Sequence, residues 1–222
     1  MIKVIQRDSP DCSSLLNEMF KTRTKIFKEK KGWDIALDEA GLDIDNYDVA
    51  NTIYIIKLNE SGVVTGTWRF LLNTEPSMIK DLWPQYTASL PVPVDSNMCE
   101  TSRFGVHVDT LDKAERNRAV NTITSELIIA LNQVCILCGI TDMFTLYGVA
   151  LKRLMKRIGF NPIAVSDVIP LEGKATLTAR FRMDEAMLTQ LRATTNIDLL
   201  IKPEDLPPLL YERYQRLHLQ PA

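Results

Sequence analysis

From residue 13 to 29 apolar side chains recur at helical spacing: Leu15, Leu16, Met19 and Phe20, then Ile26 and Phe27. That period predicts a helix, with Ser13 or Ser14 as its cap. Between 30 and 50 no period holds. Lysines and Gly32 give way to acidic residues and Gly41, which predicts a loop with at most a short helix. Alternation resumes as a strand over 52–58, a turn at 59–62 and an antiparallel partner over 63–72. Gly62 suits a positive φ in that turn. Pro76 begins a short helical stretch through Leu82, and Pro84, Pro91 and Pro93 mark an irregular segment after it.

Further on, 99–108 reads as a strand and 113–138 as a long helix. Ala119, Ile123, Leu127, Ala130, Leu131 and Val134 form its apolar face, and Gly139 stops it. Strands follow at 143–147, 163–168 and 175–183, with a helix at 150–158 closed by Gly159 and Phe160. Past about residue 195, three prolines break the pattern before a short helix at 209–217. Strands that alternate with helices, hairpins included, predict an α/β fold: a single α-β-α sandwich on a mixed, twisted sheet. One domain is expected over 1–222, with functional halves at about 1–70 and 100–195 and an extension from about 196.

Composition narrows the function classes. The chain has 222 residues and a net charge of −2, so no global basic field points to nucleic acid. The expected chain carries no membrane span and no leader peptide. Four cysteines (Cys12, Cys99, Cys135, Cys138) lack the spacing of a disulfide framework and fit a reducing, cytoplasmic setting. The C-x-x-C at 135–138 lies in an apolar helix without a second pair, which favours packing over zinc. With only His107 and His218 available, no Ser-His-Asp or zinc-histidine set can be assembled.

The informative residues are unlike charges and aromatics in the first half. Arg23 and Phe27 are four apart and share a helix face. A ring and a guanidinium there suit a sulfonium cation and a carboxylate, although a surface arginine beside a core Phe is the plainer reading. Trp33 adds a loop aromatic. Asp45 and Asp48 flank Tyr47, either as a solvated acidic loop or as partners for arginines. Arg69 interrupts an apolar strand, and Glu100 and Arg103 follow Cys99 in the next. In type and order these eight residues (Arg23, Phe27, Trp33, Asp45, Asp48, Arg69, Glu100, Arg103) resemble the functional cluster of the LuxI-type acyl-homoserine lactone synthases. The resemblance spans about 20–165. The spacing from Trp33 to Asp45 is slightly loose, so Asp43 rivals Asp45, and Trp83 stands where many relatives carry Phe. The run 150–160 is also similar to the helix-then-Gly-Phe signature of Gcn5-related N-acyltransferases, whose three-layer fold LuxI-type enzymes share.

The resemblance implies acyl transfer from a thioester to the amine of S-adenosylmethionine. The carboxylate then attacks beside the sulfonium, releasing a lactone and methylthioadenosine. It implies Glu100 as general base, directly or through a water, with Arg103 beside it as the second catalytic residue. Arg69 and Arg103 would orient carboxylates or brace Asp45 and Asp48. Both molecules are substrates, and no cofactor or metal is expected. Trp83, Phe104, Met143, Thr145, Leu146 and Tyr147 are candidates for the acyl and thioester pocket. Lys152, Arg153, Lys156 and Arg157 are either the solvated face of a helix or a docking patch for acyl-carrier protein. The stretch 109–116 replaces the usual Gly-rich pyrophosphate loop, which favours a carrier donor over acyl-CoA. The segment 30–48 is expected to close over S-adenosylmethionine. Two other readings stand: a Gcn5-related N-acyltransferase with another amine acceptor, and a non-enzymatic carrier-binding protein.

Overall fold

In a computed structural model of the chain, residues 1–72, 77–93, 95–108, 113–198 and 201–219 are described. Among them eight strands form one sheet: β1 (Ile2–Gln6), β2 (Ile53–Leu58), β3 (Val64–Leu72), β4 (Met98–Val106), β5 (Asp142–Gly148), β6 (Ala164–Val165), β7 (Ile169–Leu171) and β8 (Lys174–Arg182). Their order is β1-β2-β3-β4-β5-β8-β6, with β7 also on β8. Only β4 and β5 run parallel; every other pair is antiparallel. The sheet is mixed, as expected.

The helices are α1 (Ser13–Arg23), α2 (Met78–Leu82), α3 (Lys113–Leu137), α4 (Ala150–Arg157), α5 (Glu185–Thr195) and α6 (Pro208–His218). Alternation along β2 shows how they layer. Ile53 and Ile55 join the main core with α3, while Tyr54 and Ile56 join a second core with Leu16, Met19 and Phe20 of α1. Burial on both faces explains why β2 reads as a nearly continuous apolar run. The window Ala114–Leu137 is long and apolar enough to cross a membrane by composition, but 67% of it is buried, and it is the core helix of the sheet.

Several expectations need correction. No side chain of Ser13 or Ser14 caps α1; a single 3₁₀ turn, Pro10–Cys12, leads into it instead. The helix expected over 13–29 has that span, but it is α-helical only to Arg23 and then widens into a π-helical turn, Thr24–Lys30. The strand expected over 163–168 is only two residues long, because the register on β8 slips by one residue between Val165–Ala179 and Ile169–Thr176; the same edge resumes as β7, which turns at Glu172 and Gly173 into β8. Three elements were missed: β1, β7 and α5. Strand β1 is short and carries only two alternating apolar residues, and α5 begins at a cap in which the Asp184 side chain accepts from the Met187 amide. Pro76 lies outside the described residues.

Two irregularities of β4 shape the site. Against β3, Arg69 pairs with Ser102 and Thr67 with Gly105, so β4 spends one residue more than its partner. The extra residue is accommodated at Arg103, whose φ is +53°. Such a bulge turns consecutive side chains to one side. Against β5, pairing ends at Thr101–Thr145, although both strands run on to Val106 and Gly148. The two strands therefore fork. The Thr145 hydroxyl donates to the Thr101 carbonyl at 3.1 Å and closes the ladder at that point.

Gly105 lets the π-helical turn lie on β4. A Cβ there would come within 2.9 Å of Ile26 and 3.2 Å of the Phe27 ring. We expect Gly105→Ala to destabilise the fold by about 1–3 kcal/mol through overpacking, read from the urea midpoint. An unchanged midpoint would show that the turn is not seated on the strand.

Candidate functional site

Arg23, at the end of α1, is fully buried. A guanidinium out of water needs acceptors for all its donors. Two aspartates of the following loop supply them. Nε and Nη2 donate to Asp43 at 3.1 Å each, and Nη1 and Nη2 donate to Asp48 at 2.8 and 3.1 Å. The Phe20 ring lies 5.2 Å from the guanidinium, and the Tyr54 hydroxyl donates to Asp48 at 2.8 Å. Burial alone would disfavour both carboxylates. Arg23 with Arg103 outweighs that at Asp43, and Arg23 with Arg69 does so at Asp48, holding both carboxyls below their usual range.

Arg69 and Arg103 tie this loop to the sheet. From β3, Arg69 donates to the Ser102 hydroxyl at 2.9 Å and pairs with Asp45 and Asp48. From the bulge, Arg103 donates through Nε to Asp43 at 2.9 Å and through Nη2 to Asp45 at 3.0 Å. Among the described residues Arg103 Nη1 has no protein acceptor. Asp45 is the member that solvent still reaches, with its side chain 23% exposed. The bulge is what allows Ser102 and Arg103 to face the same cluster.

Glu100 is held apart from these pairs. Ser77, which caps α2, donates its hydroxyl to Oε2 at 2.6 Å, and the Ile79 amide donates to Oε1 at 3.0 Å. Each oxygen keeps room for another donor. Burial raises the Glu100 pKa, and the two hydrogen bonds and Arg69 offset this only in part. A carboxylate made more basic, yet fixed in direction, suits proton abstraction.

A cleft of about 970 Å³ opens along the fork. Its polar wall includes Trp33, Asp45, Tyr47, Glu100, Ser102 and Arg103. Its apolar wall includes Trp68, Phe104, Tyr147, Leu151, Leu154 and Met155. Trp33 packs on Phe27 with centroids 4.8 Å apart.

Of the expected residues, Trp33, Asp45, Glu100 and Arg103 line the cleft, as do Trp83, Phe104, Thr145, Leu146 and Tyr147. Arg23, Phe27, Asp48 and Arg69 do not. They are buried behind the wall, where the arginines brace aspartates. An Arg23 guanidinium open to a ligand's carboxylate is therefore corrected. Met143 is also corrected: it is buried in the main core, because at its level β4 and β5 are still paired and no cleft exists. Asp43 is a full member of the cluster alongside Asp45 rather than its rival. Ser77, Ser102 and Tyr54 were missed; the only sequence signal was the position of Ser77 ahead of a short helix. The acids of 43–48 are pinned by ion pairs, so this half of the loop is preformed. Lys152, Arg153, Lys156 and Arg157 are exposed on α4 and make no ion pair among the described residues. Residues 109–112, in the stretch that replaces the Gly-rich loop, lie outside the described residues.

Arg23→Met removes the cation that Asp43 and Asp48 share, leaving Asp43 to Arg103 and Asp48 to Arg69 and Tyr54, and should cost about 3–5 kcal/mol in urea unfolding. Because the folded-state pKa values of Asp43 and Asp48 are depressed, their contribution is complete above the ordinary carboxylate range. It is lost as pH falls through the depressed values. The wild-type midpoint should fall with acid over that range, and the Arg23→Met midpoint should fall less. Equal midpoints for the two proteins would remove the cluster from its structural role.

A family model described as "Autoinducer synthase" matches residues 10–191. An acyl-homoserine-lactone synthase of Aliivibrio fischeri is 32% identical over 136 residues, 61% of this chain and 68% of that protein. One from Pseudomonas aeruginosa is 30% identical over 164 residues, 72% of this chain and 79% of that protein. Among solved structures, a CoA-dependent acyl-homoserine lactone synthase, BjaI, with SAM and isopentyl-CoA, superposes with a TM-score of 0.80. It is 22% identical and covers 99% of both chains. The AHL synthase LasI superposes at 0.72 with 25% identity, covering 90% of this chain and 98% of that one.

Proposed function

The chain belongs to the autoinducer synthase family, and from that premise we propose how its cleft joins an acyl thioester to S-adenosylmethionine. The protein is an acyltransferase, an acyl-homoserine lactone synthase. The observation that carries the assignment of roles is the juxtaposition, on one wall, of a buried, basic carboxylate (Glu100) and a half-open acid–guanidinium pair (Asp45 and Arg103) facing an apolar wall.

S-adenosylmethionine binds against Trp33, Asp45 and Arg103. Asp45 attracts its cationic groups, and Nη1 of Arg103 takes its carboxylate. The acyl chain lies against Trp68, Phe104, Tyr147 and Leu154, with Trp83, Thr145 and Leu146 nearer the thioester. Glu100 removes a proton from the amine, directly or through a water, as nitrogen attacks the thioester carbon. The N–C bond forms, the C–S bond breaks, and the proton leaves with the thiol. Beyond Thr101 the edge of β4 that would face β5 has no strand partner among the described residues, so its amides are available to the oxyanion. The carboxylate oxygen then displaces methylthioadenosine at the carbon beside sulfonium. The sulfonium is its own activated leaving group, so this step needs positioning and no resident cofactor or metal.

The donor is an acyl-carrier protein, which docks on Lys152, Arg153, Lys156 and Arg157. The inner residues of the same helix, Ala150, Leu151 and Leu154, line the cleft, so the basic face flanks it. A carrier's acidic surface would be steered there in a salt-dependent way. Mass spectrometry of lipids extracted from bacteria that express the protein tests the reading as a whole. An acyl-homoserine lactone supports it, and an acylated amine of another kind would replace it.

Glu100→Gln should lower kcat/KM by roughly 10²-fold or more without changing the urea midpoint. In the wild type, kcat/KM should rise with pH as Glu100 ionises above the ordinary carboxylate range, and the variant should lose that limb. Near-wild-type turnover of folded Glu100→Gln would remove Glu100 as the base. Reversing the four α4 charges should raise KM for the carrier donor with little change in kcat. A KM that stays unchanged across a salt series would leave these residues as solvated surface.

A further inference from the structure

Two lysines flank the open end of the fork. On the β4 side, Lys31 follows the π-helical turn, which Gly105 seats on the strand. Its ammonium lies 4.8 Å from the Phe27 centroid and 5.2 Å from that of Trp33. On the β5 side, Lys174 opens β8, two residues before Thr176, which pairs with the last residue of β5, Gly148. A tight turn at Glu172 and Gly173, both at positive φ, sets it there. Both lysines line the cleft.

Among the described residues neither lysine makes an ion pair with a carboxylate. Of the acids on the rim, Asp34 is drawn to Lys28 at 3.6 Å, and Glu172 is paired with neither lysine. Lys31 is exposed as a residue, but the protein atoms crowded around its ammonium push its pKa down, and the charge of Lys174 adds to that. The two cations thus repel one another across the mouth, with two aromatic rings beneath one of them. Like charges placed this way suit an anion between them. They differ from the α4 cations, which project from a helix face and do not line the cleft.

We propose that Lys31 and Lys174 form an anion subsite at the mouth of the cleft that grips the phosphate ester of the acyl donor's pantetheine arm. This rests on the acyl-thioester reading given above. With the acyl chain in the apolar wall and the thioester beside Glu100, the arm follows the fork outward between the ends of β4 and β5. Its far end carries a phosphate, whether the arm is attached to a carrier protein or is part of coenzyme A. The subsite reads the chemistry the two donors share, while the α4 patch reads the carrier alone.

The test uses the full chain and methylthioadenosine release, with an acyl-4′-phosphopantetheine and the matching acyl-pantetheine that lacks phosphate. The wild type should show a KM lower by about tenfold for the phosphate-bearing donor, the size of one charge-assisted contact. In Lys31→Gln and Lys174→Gln the ratio of the two KM values should collapse toward one. Lys174→Arg, which keeps the charge, should retain it. A ratio that survives both glutamine variants overturns the subsite, as does a wild type that does not distinguish the donors. Release with neither donor would instead overturn the acyl-thioester reading and the subsite with it. With acyl-carrier protein and acyl-CoA as donors, the glutamine variants should raise both KM values. An effect confined to the carrier would assign the lysines to its protein surface and overturn phosphate recognition.

Discussion

A guanidinium that no water reaches must find carboxylates, and Arg23 finds them in the loop that follows its own helix. That requirement organises the polar side of the molecule. Asp43 and Asp48 are drawn inward to Arg23, which fixes the loop between Trp33 and β2. Arg69 and Arg103 then close the same carboxylates onto β3 and β4. One member, Asp45, keeps an edge in the cleft, because its neighbours on either side satisfy the buried charge. The cluster therefore converts a segment with no hydrophobic period into a rigid wall.

The apolar side depends on the sheet. A parallel pair that stops at Thr101 and Thr145 leaves two strand ends diverging, and the divergence is the cleft. The bulge at Arg103 sits just past the fork. An arginine at positive φ is strained by about 1–3 kcal/mol, and the ion pairs to Asp43 and Asp45 offset that strain. The same distortion that brings Arg103 to the acids lets Phe104 face Trp68 in the opposite wall, with ring centroids 5.0 Å apart. A single irregularity thereby presents a charge to the polar wall of the cleft and an aromatic to the apolar one.

Much of this was legible in the chain because it rests on unusual residue types. Charged residues inside apolar strands, Arg69, Glu100 and Arg103, stand out against alternation, and the hairpin of β2 and β3 follows from it directly. What was hidden depends on register. No pattern marks a bulge at an arginine, since that conformation is imposed by its partners. Nor does period two reveal where a parallel pair separates, so Met143 and Thr145, which share a strand face, could not be told apart as core and cleft. Asp43 was undervalued because spacing along a loop carries little information about which acids turn inward. Helix α5 had its signals, Asp184 as a cap and Leu188 and Leu191 behind it, but they directly followed a strong strand.

The central claim is that one cleft brings the amine of S-adenosylmethionine, a thioester carbonyl and the sulfonium carbon together in sequence. The direct measurement is the stoichiometry of products from the purified protein given S-adenosylmethionine and an acylated carrier. Acyl-homoserine lactone and methylthioadenosine should appear in equal amounts, with one free thiol for each. Acylation that leaves the sulfonium intact, or methylthioadenosine without lactone, would contradict the account.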